Sequence, residues 1–451
     1  MKRLFCILLC AGMVLSLSAC GLKNLKNVEL PPLPQVTEAV VTPKPSYMPA
    51  ATPEPEPEPT PEPVPEPTPA LETILQEEPM GLEGQVIINY KHNEYEQFDP
   101  EEGKERILLF SYDSPRVVIE GRPEATAVLN GQLGFMDESF YVGGSEGDGY
   151  GFHGMLELAE DNYAYARQSG EAGLPLEFSS ERTVRTERVD RNVVSFVFSY
   201  SDYTGAEGKN YSHVGCVFDA ETGELLRLED LSNDYAALEK RLVHELVSLT
   251  SSDKSLYEHV YITYMNNDYH GTLKKLLRPG AWYFDEKGMV FESSLGELGP
   301  YSAGLAEFHI PYSKISDVLD AKWLPAAREA GGSIRAAAME TEQEGSVQYL
   351  DRVEVSKRGQ ELCLIAEGTV YDVKLSRVYY EDQFYDQQEL WFCSEMQDAA
   401  VQVVTKIPEG IPDLMLRYTD ETGEKYSRLI TMDTEDGSFQ LAKKKDVVPV
   451  G

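Results

Sequence analysis

Apolar residues fall along this chain in two rhythms. In "GMLELAEDNYAYARQSG", Leu156, Ala159, Tyr163 and Ala166 recur at helical spacing, and Gly170 stops the run. "SNDYAALEKRLVHELVSL" places Tyr235, Leu238, Leu242, Leu246 and Leu249 on one face behind a capping Ser232 or Asp234, which predicts an amphipathic helix. "EATAVLNGQLGFMDES" reads as a further helix, and a tyrosine-rich segment over 253–267 as another. Elsewhere β-branched and aromatic residues are bounded by turn formers, which predicts strands: "QVIINY", "ERILLFSYDSPRVVIEG" and "RTVRTERVDRNVVSFVFSYSDYTG". Asp219 to Gly223 forms a tight turn, with glycine free to take positive φ. "AWYFDEKGMVFESS" is a hairpin with Glu286, Lys287 and Gly288 at its tip, "LAEFHIPY" a strand, and "SKISDVLDAKWL" a short closing helix.

The texture changes near residue 325. Residues 326–346 are small and polar, a linker or surface helix, and from Val347 to Leu441 strand-like runs recur at sandwich spacing. The predicted class is therefore α+β: an antiparallel sheet packed with helices over 84–320, followed by a smaller all-β, sandwich-like domain over 347–443. The body before the linker divides into regions 82–205 and 206–325.

Composition adds a compartment. Lys2 and Arg3 precede an apolar stretch from Leu4 to Leu17, too short for a usual membrane span, ending in Leu17-Ser18-Ala19-Cys20. This resembles a bacterial lipoprotein signal over residues 1–19, which implies a lipid on Cys20. The alternative is an ordinary secretory signal that contains Cys20. Residues 20–81 read as a stalk, since sixteen of the chain's 27 prolines fall there. Within it "TPEPEPEPTPEPVPEPTP" alternates proline with mostly glutamate, which leaves polyproline II and a reach of roughly 55 Å. Such a spacer suits a protein of a Gram-positive-type cell surface, anchored to the membrane and facing outward.

The formal net charge of −36 argues against nucleic acid or anionic membrane as partners and would steer basic ones. Besides the leader's Cys6 and Cys10 and the lipid-bearing Cys20, the chain holds Cys216, Cys363 and Cys393. No C-x-x-C spacing occurs, so no zinc site is encoded; Cys363 and Cys393 could bridge, and Cys216 reads as a buried strand thiol.

Candidate chemistry is sparse. "GGSEG" matches G-x-S-x-G and offers Ser145 as a nucleophile, with "ESFYV" as the preceding strand, but the glycines that follow oppose an immediate helix. The histidines (92, 153, 213, 244, 259, 270 and 309) show no H-E-x-x-H spacing, and no calcium loop of the D-x-[DN]-x-[DN]-G type occurs. Neither catalytic residues, a metal nor a cofactor are expected. Tyrosines 257, 261, 264 and 269 provide rings suited to sugar or protein, or to core packing. Pro300 and Tyr301, on a glycine-rich turn with Gly304, are the preferred exposed anchor.

The order "NYSHVGCVFDAETGELLRLEDL", a helix, "AWYFDEKGMVFESS" and "GPYSAGLAEFHIPYSKI" resembles the DUF3298 family, behind a DUF4163-like region over about 84–205. The residues carrying it are the Asp219/Gly223 turn, Leu228 to Leu231, Gly288, Pro300-Tyr301 with Gly304, and Ile310-Pro311-Tyr312. The pairing is similar to the extracellular part of the anti-sigma factor RsiV, which implies a non-catalytic binding or envelope-sensing role. The implied ligand is a basic protein such as lysozyme or a cell-wall component. The rival expectation is an envelope hydrolase, or an accessory domain of one, using Ser145.

Overall fold

The computed structural model describes residues 82–99, 105–143, 151–169, 177–205, 209–253, 256, 268–326, 328, 333–339, 347–349, 352–353, 360–381, 384–397, 401–407, 413–420, 422–432 and 439–441. The leader, Cys20, the proline-rich segment, Ser145 and the tyrosine-rich stretch 257–267 lie outside them.

Strands β1 (Val86–Phe98) and β2 (Arg106–Ile119) pair antiparallel. Two helices follow, α1 (Pro123–Val142) and α2 (Gly151–Ser169), the second burying Met155, Ala159, Tyr163 and Ala166. They carry the chain back to the end where it entered β2. Strand β3 (Phe178–Val189) therefore joins β2 in parallel, over Leu108↔Phe178 to Tyr112↔Arg182, and the sheet is mixed instead of wholly antiparallel. Strands β4 (Val193–Tyr203) and β5 (Asn210–Asp219) complete an antiparallel meander.

Beyond Asp113, β2 and β3 part, and side chains satisfy the open edge of β2. Asn130 on α1 accepts from Val117 N at 2.9 Å and donates to Val117 O at 2.6 Å, while the Thr126 hydroxyl accepts from Ile119 N at 2.9 Å. Arg182, fully buried, donates to Asp113 O at 2.9 Å and Met136 O at 3.1 Å and pairs with Asp137. The rings of Tyr112, Phe140 and Phe198 stand 5.1–5.3 Å from its guanidinium, so a buried cation is enclosed by carbonyls, one carboxylate and aromatic faces.

Helix α3 (Tyr235–Ser252) starts at Asp234, whose carboxylate accepts from Ala237 N at 3.0 Å, and it buries Leu238, Leu242 and Leu246. After the short α4 (Tyr269–Lys274) come β6 (Trp282–Phe284), β7 (Gly288–Glu292) and β8 (Glu307–Pro311), an antiparallel three-stranded sheet closed by α5 (Tyr312–Ile315). Its Trp282, Phe284, Phe291, Phe308 and Ile310 form one core with α3 and with Val193, Val197 and Val217 of the meander. Close approach fixes two glycines here. A Cβ on Gly215 would lie 2.1 Å from Trp282 O, and one on Gly223, at φ +76°, would lie 2.1 Å from Ala125 O.

The C-terminal part is all β. Strands β9 (Ser333–Met339), β10 (Val347–Tyr349), β12 (Gln360–Glu367) and β15 (Val401–Ile407) make a four-stranded sheet in the order β10-β9-β12-β15. Strands β11 (Arg352–Val353), β13 (Val370–Glu381), β14 (Phe384–Met396), β16 (Asp413–Thr419), β17 (Lys425–Met432) and β18 (Phe439–Leu441) extend the large sheet. The full order is β11-β18-β17-β16-β13-β14-β1-β2-β3-β4-β5. Ile334, Leu362 and Leu364 meet Val373, Leu375, Trp391 and Leu416 in one core between the two sheets, the sandwich-like part of an α+β molecule.

Two details depart from the sequence reading. Ser333–Met339, within the expected linker, is a strand flanked on both sides, because pairing with β10 and β12 outweighs the weak strand preference of its alanines. The C-terminal strands also continue the N-terminal sheet directly, through Ile87↔Cys393 to Asn89↔Trp391.

Candidate functional site

The expected anchor stands at the surface. Pro300 is extended and leads into a 3-10 turn over Tyr301–Ala303 that Gly304 ends at φ +81°. Tyr301 is 55% exposed, and its ring lies over Gly296, where a Cβ would come within 3.1 Å of it. A Cβ on Gly304 would lie 2.9 Å from the Tyr211 hydroxyl, so Tyr211, also exposed, closes on the same turn from β5. Pro300, Tyr301 and Gly304 thus lie on one surface turn, and Tyr211, which sequence reasoning missed, stands beside it.

Two residues along β5 from Tyr211, His213 projects toward Glu292 of β7, with Nδ1 at 3.1–3.2 Å from both carboxylate oxygens. Glu292 is buried, and the β7–β8 register sets Glu307 directly opposite it. Burial first, then the Glu292 charge and a hydrogen bond to it, raise the Glu307 carboxyl above the ordinary range. Glu187 of β3 adds to the same field and is bonded to Arg185. Burial and these carboxylates likewise push the Tyr283 phenol up. The result is a strip in which three carboxylates face one arginine and one histidine, continued outward by two exposed phenol rings. It can receive an ammonium or guanidinium group and cover it with an aromatic face.

Other candidate chemistry is placed differently. Glu138–Val142, read as the strand before a nucleophile elbow, are the last turns of α1, so the residues that precede Ser145 in the sequence are helical instead of extended. Cys216 and Cys393 are buried free thiols, each pushed up to about 12 by burial, so Cys393 forms no bridge to Cys363. Its thiol donates to Glu395 O at 3.3 Å. His244 is exposed on α3. His92 pairs with buried Asp113 at 2.9 Å, which raises its pKa, and His309 with Asp285 at 3.1 Å. Among the described residues, no group of three or more His, Cys, Asp or Glu side chains is arranged to hold a metal ion, and no helix is long and apolar enough to cross a membrane.

Residues 230–313, the stretch carrying α3, the three-stranded sheet and the Tyr301 turn, match the DUF3298 family, described as a protein of unknown function. The chain is similar to the crystal structure of a DUF3298 family member from Bacteroides fragilis, with 17% identity over 52% of this chain and 94% of that one, and a TM-score of 0.39. It is also similar to a DUF3298 family protein from Pseudomonas aeruginosa PAO1, with 15% identity over 53% of this chain and 97% of that one, and a TM-score of 0.33. No curated protein matches the chain.

Proposed function

We propose that this chain is a cell-surface lipoprotein, anchored outside the membrane through a lipid on Cys20 and held off it by the proline-rich segment. Its body binds a ligand without catalysis, in the manner of the RsiV extracellular region. On the same reading the 82–205 region is DUF4163-like. The ligand is a basic envelope or host protein of the lysozyme type, and a wall glycan is the second class, since Tyr211 and Tyr301 offer flat faces to sugar rings. The net charge of −36 supports a cationic partner. The observation that carries the reading is the strip of Glu187, Glu292 and Glu307 running out to exposed Tyr211 and Tyr301.

Calorimetric titration of the chain with lysozyme, and separately with wall fragments, tests this. Saturable lysozyme binding is expected, weakened by salt and by Tyr301→Ala. Silence toward both ligands would remove the ligand class, and turnover of the wall fragments would replace binding by hydrolysis.

A further inference from the structure

Strand β5 ends the large sheet: among the described residues it pairs with β4 and with no other strand. Its odd-numbered residues turn their N–H and C=O groups outward, away from β4. Gly215 N donates to Gly280 O at 2.8 Å, Val217 O accepts from Leu226 N at 2.7 Å, and Asp219 N donates to Glu224 O at 2.9 Å. The outer edge is therefore closed from Gly215 to Asp219. The β4–β5 register runs without a bulge from Val193↔Asp219 to Asp202↔Asn210, so the same alternation continues to His213 and Tyr211. Their outward N–H and C=O groups have no partner among the described residues. Proline, lysine or a bulge ordinarily blunts such an edge, and Asn210 to Val214 hold none of the three. Lys209, just before them, is drawn toward Glu181 of β3 at 3.4 Å.

We propose that this open edge takes an extended, lysine- or arginine-bearing segment of a protein ligand as an added strand. The inference rests on the reading of the acidic strip as a surface for cations, and it names the conformation in which the cation arrives. Two features choose the occupant. The alternating donors and acceptors of Tyr211 and His213 are matched by another extended backbone. A side chain of the added strand also stands beside its cross-strand neighbour, on the same face of the sheet. The neighbours here are Tyr211 and His213, and that face carries Glu292, 3.1 Å from His213 Nδ1, with Glu307 opposite it. A cationic side chain on the added strand therefore enters the acidic strip, and its stem lies along the Tyr211 ring. A second copy of this chain is a poor match, since it would bring another Tyr211 and His213 and another net charge of −36. The open edge is short, so an isolated peptide binds it weakly and the rest of the ligand's surface adds to the affinity.

The probe is a fluorescent seven-residue peptide alternating lysine with valine, titrated into the full chain and followed by polarisation. Saturable binding is expected. A copy methylated at every amide nitrogen keeps the charge but loses the donors, and should bind about tenfold more weakly. Tyr211→Pro removes an outward N–H and leaves the β4–β5 bonds in place, whereas Tyr211→Ala lacks the ring but keeps the donor. The proline variant should therefore bind the peptide about tenfold more weakly than the alanine variant. Equal binding of the methylated peptide, equal binding of a glutamate–valine peptide, equal binding by the two variants, or no binding at about 1 mM peptide overturns the proposal. So does a dimer of the free chain that Tyr211→Pro abolishes, because a second copy would then occupy the edge. Where Tyr211→Pro impairs folding, the methylated peptide still decides. Lysozyme binding that is equal in the two Tyr211 variants, and still weakened by Tyr301→Ala, sinks this inference alone and leaves the proposed function standing.

Discussion

Replacing Glu307 by glutamine separates binding from stability at the acidic strip. Glu307 stands directly opposite buried Glu292, whose carboxylate is already held by His213. Two like charges about 5 Å apart repel by roughly 1 kcal/mol at the dielectric of water, and the mobility of the exposed Glu307 side chain reduces this to about 0.5 kcal/mol. The Glu307 pKa is raised in the folded chain, so there the native state binds more protons than the unfolded state as pH climbs through the shifted value. Stability contributed by this residue is therefore lost as pH rises above the ordinary carboxylate range. Glutamine carries no charge, so E307Q should be more stable than the parent by about 0.5 kcal/mol at pH 7–8. The gain should vanish as pH falls and Glu307 protonates. Urea melts of both proteins across pH 4–8 measure this. The same substitution removes a charge from the proposed ligand surface and should weaken lysozyme binding about 2–5-fold. A destabilised E307Q, or one that binds lysozyme more tightly, would refute the reasoning.

Two further substitutions probe the scaffold. Gly223→Ala forces positive φ on a residue with a side chain and drives a Cβ into Ala125 O, so a loss of about 3 kcal/mol in urea unfolding is expected, and a loss below about 1 kcal/mol would contradict the packing. Asp137→Ala leaves the buried Arg182 guanidinium without its carboxylate and should cost about 3–5 kcal/mol in the same assay, whereas a change within about 0.5 kcal/mol would show that the cation is reached by solvent.

Local grammar made much of the fold legible. Asp234 before an apolar stripe announced α3, the Asp219 to Gly223 turn followed from glycine's access to positive φ, and Glu286 to Gly288 marked the tip between β6 and β7. Features set by pairing between distant segments were not legible. The alanine-rich β9 has a linker's composition and becomes a strand because β10 and β12 hold both its edges. The bond between β1 and β14 spans some 300 residues and leaves no periodic trace. At the candidate site, Pro300, Tyr301 and Gly304 stood out as an aromatic residue between turn formers. Tyr211, His213, Glu292 and Glu307 did not, because each alternates normally within its own strand. Only the seating of the three-stranded sheet on β5 and the β7–β8 register bring them together. A signal was present in the two-residue step from Tyr211 to His213, which puts both on one face of β5, but what that face meets is a tertiary fact.

The central claim is that a cationic ligand is gripped at the edge where β5 meets the Tyr301 turn. Amide hydrogen exchange of the chain with and without saturating lysozyme tests it most directly. Protection gathered in 209–213 and 296–307, and relieved by raising the salt, is the result this account predicts. Binding that leaves both segments exchanging as in the free chain would contradict it.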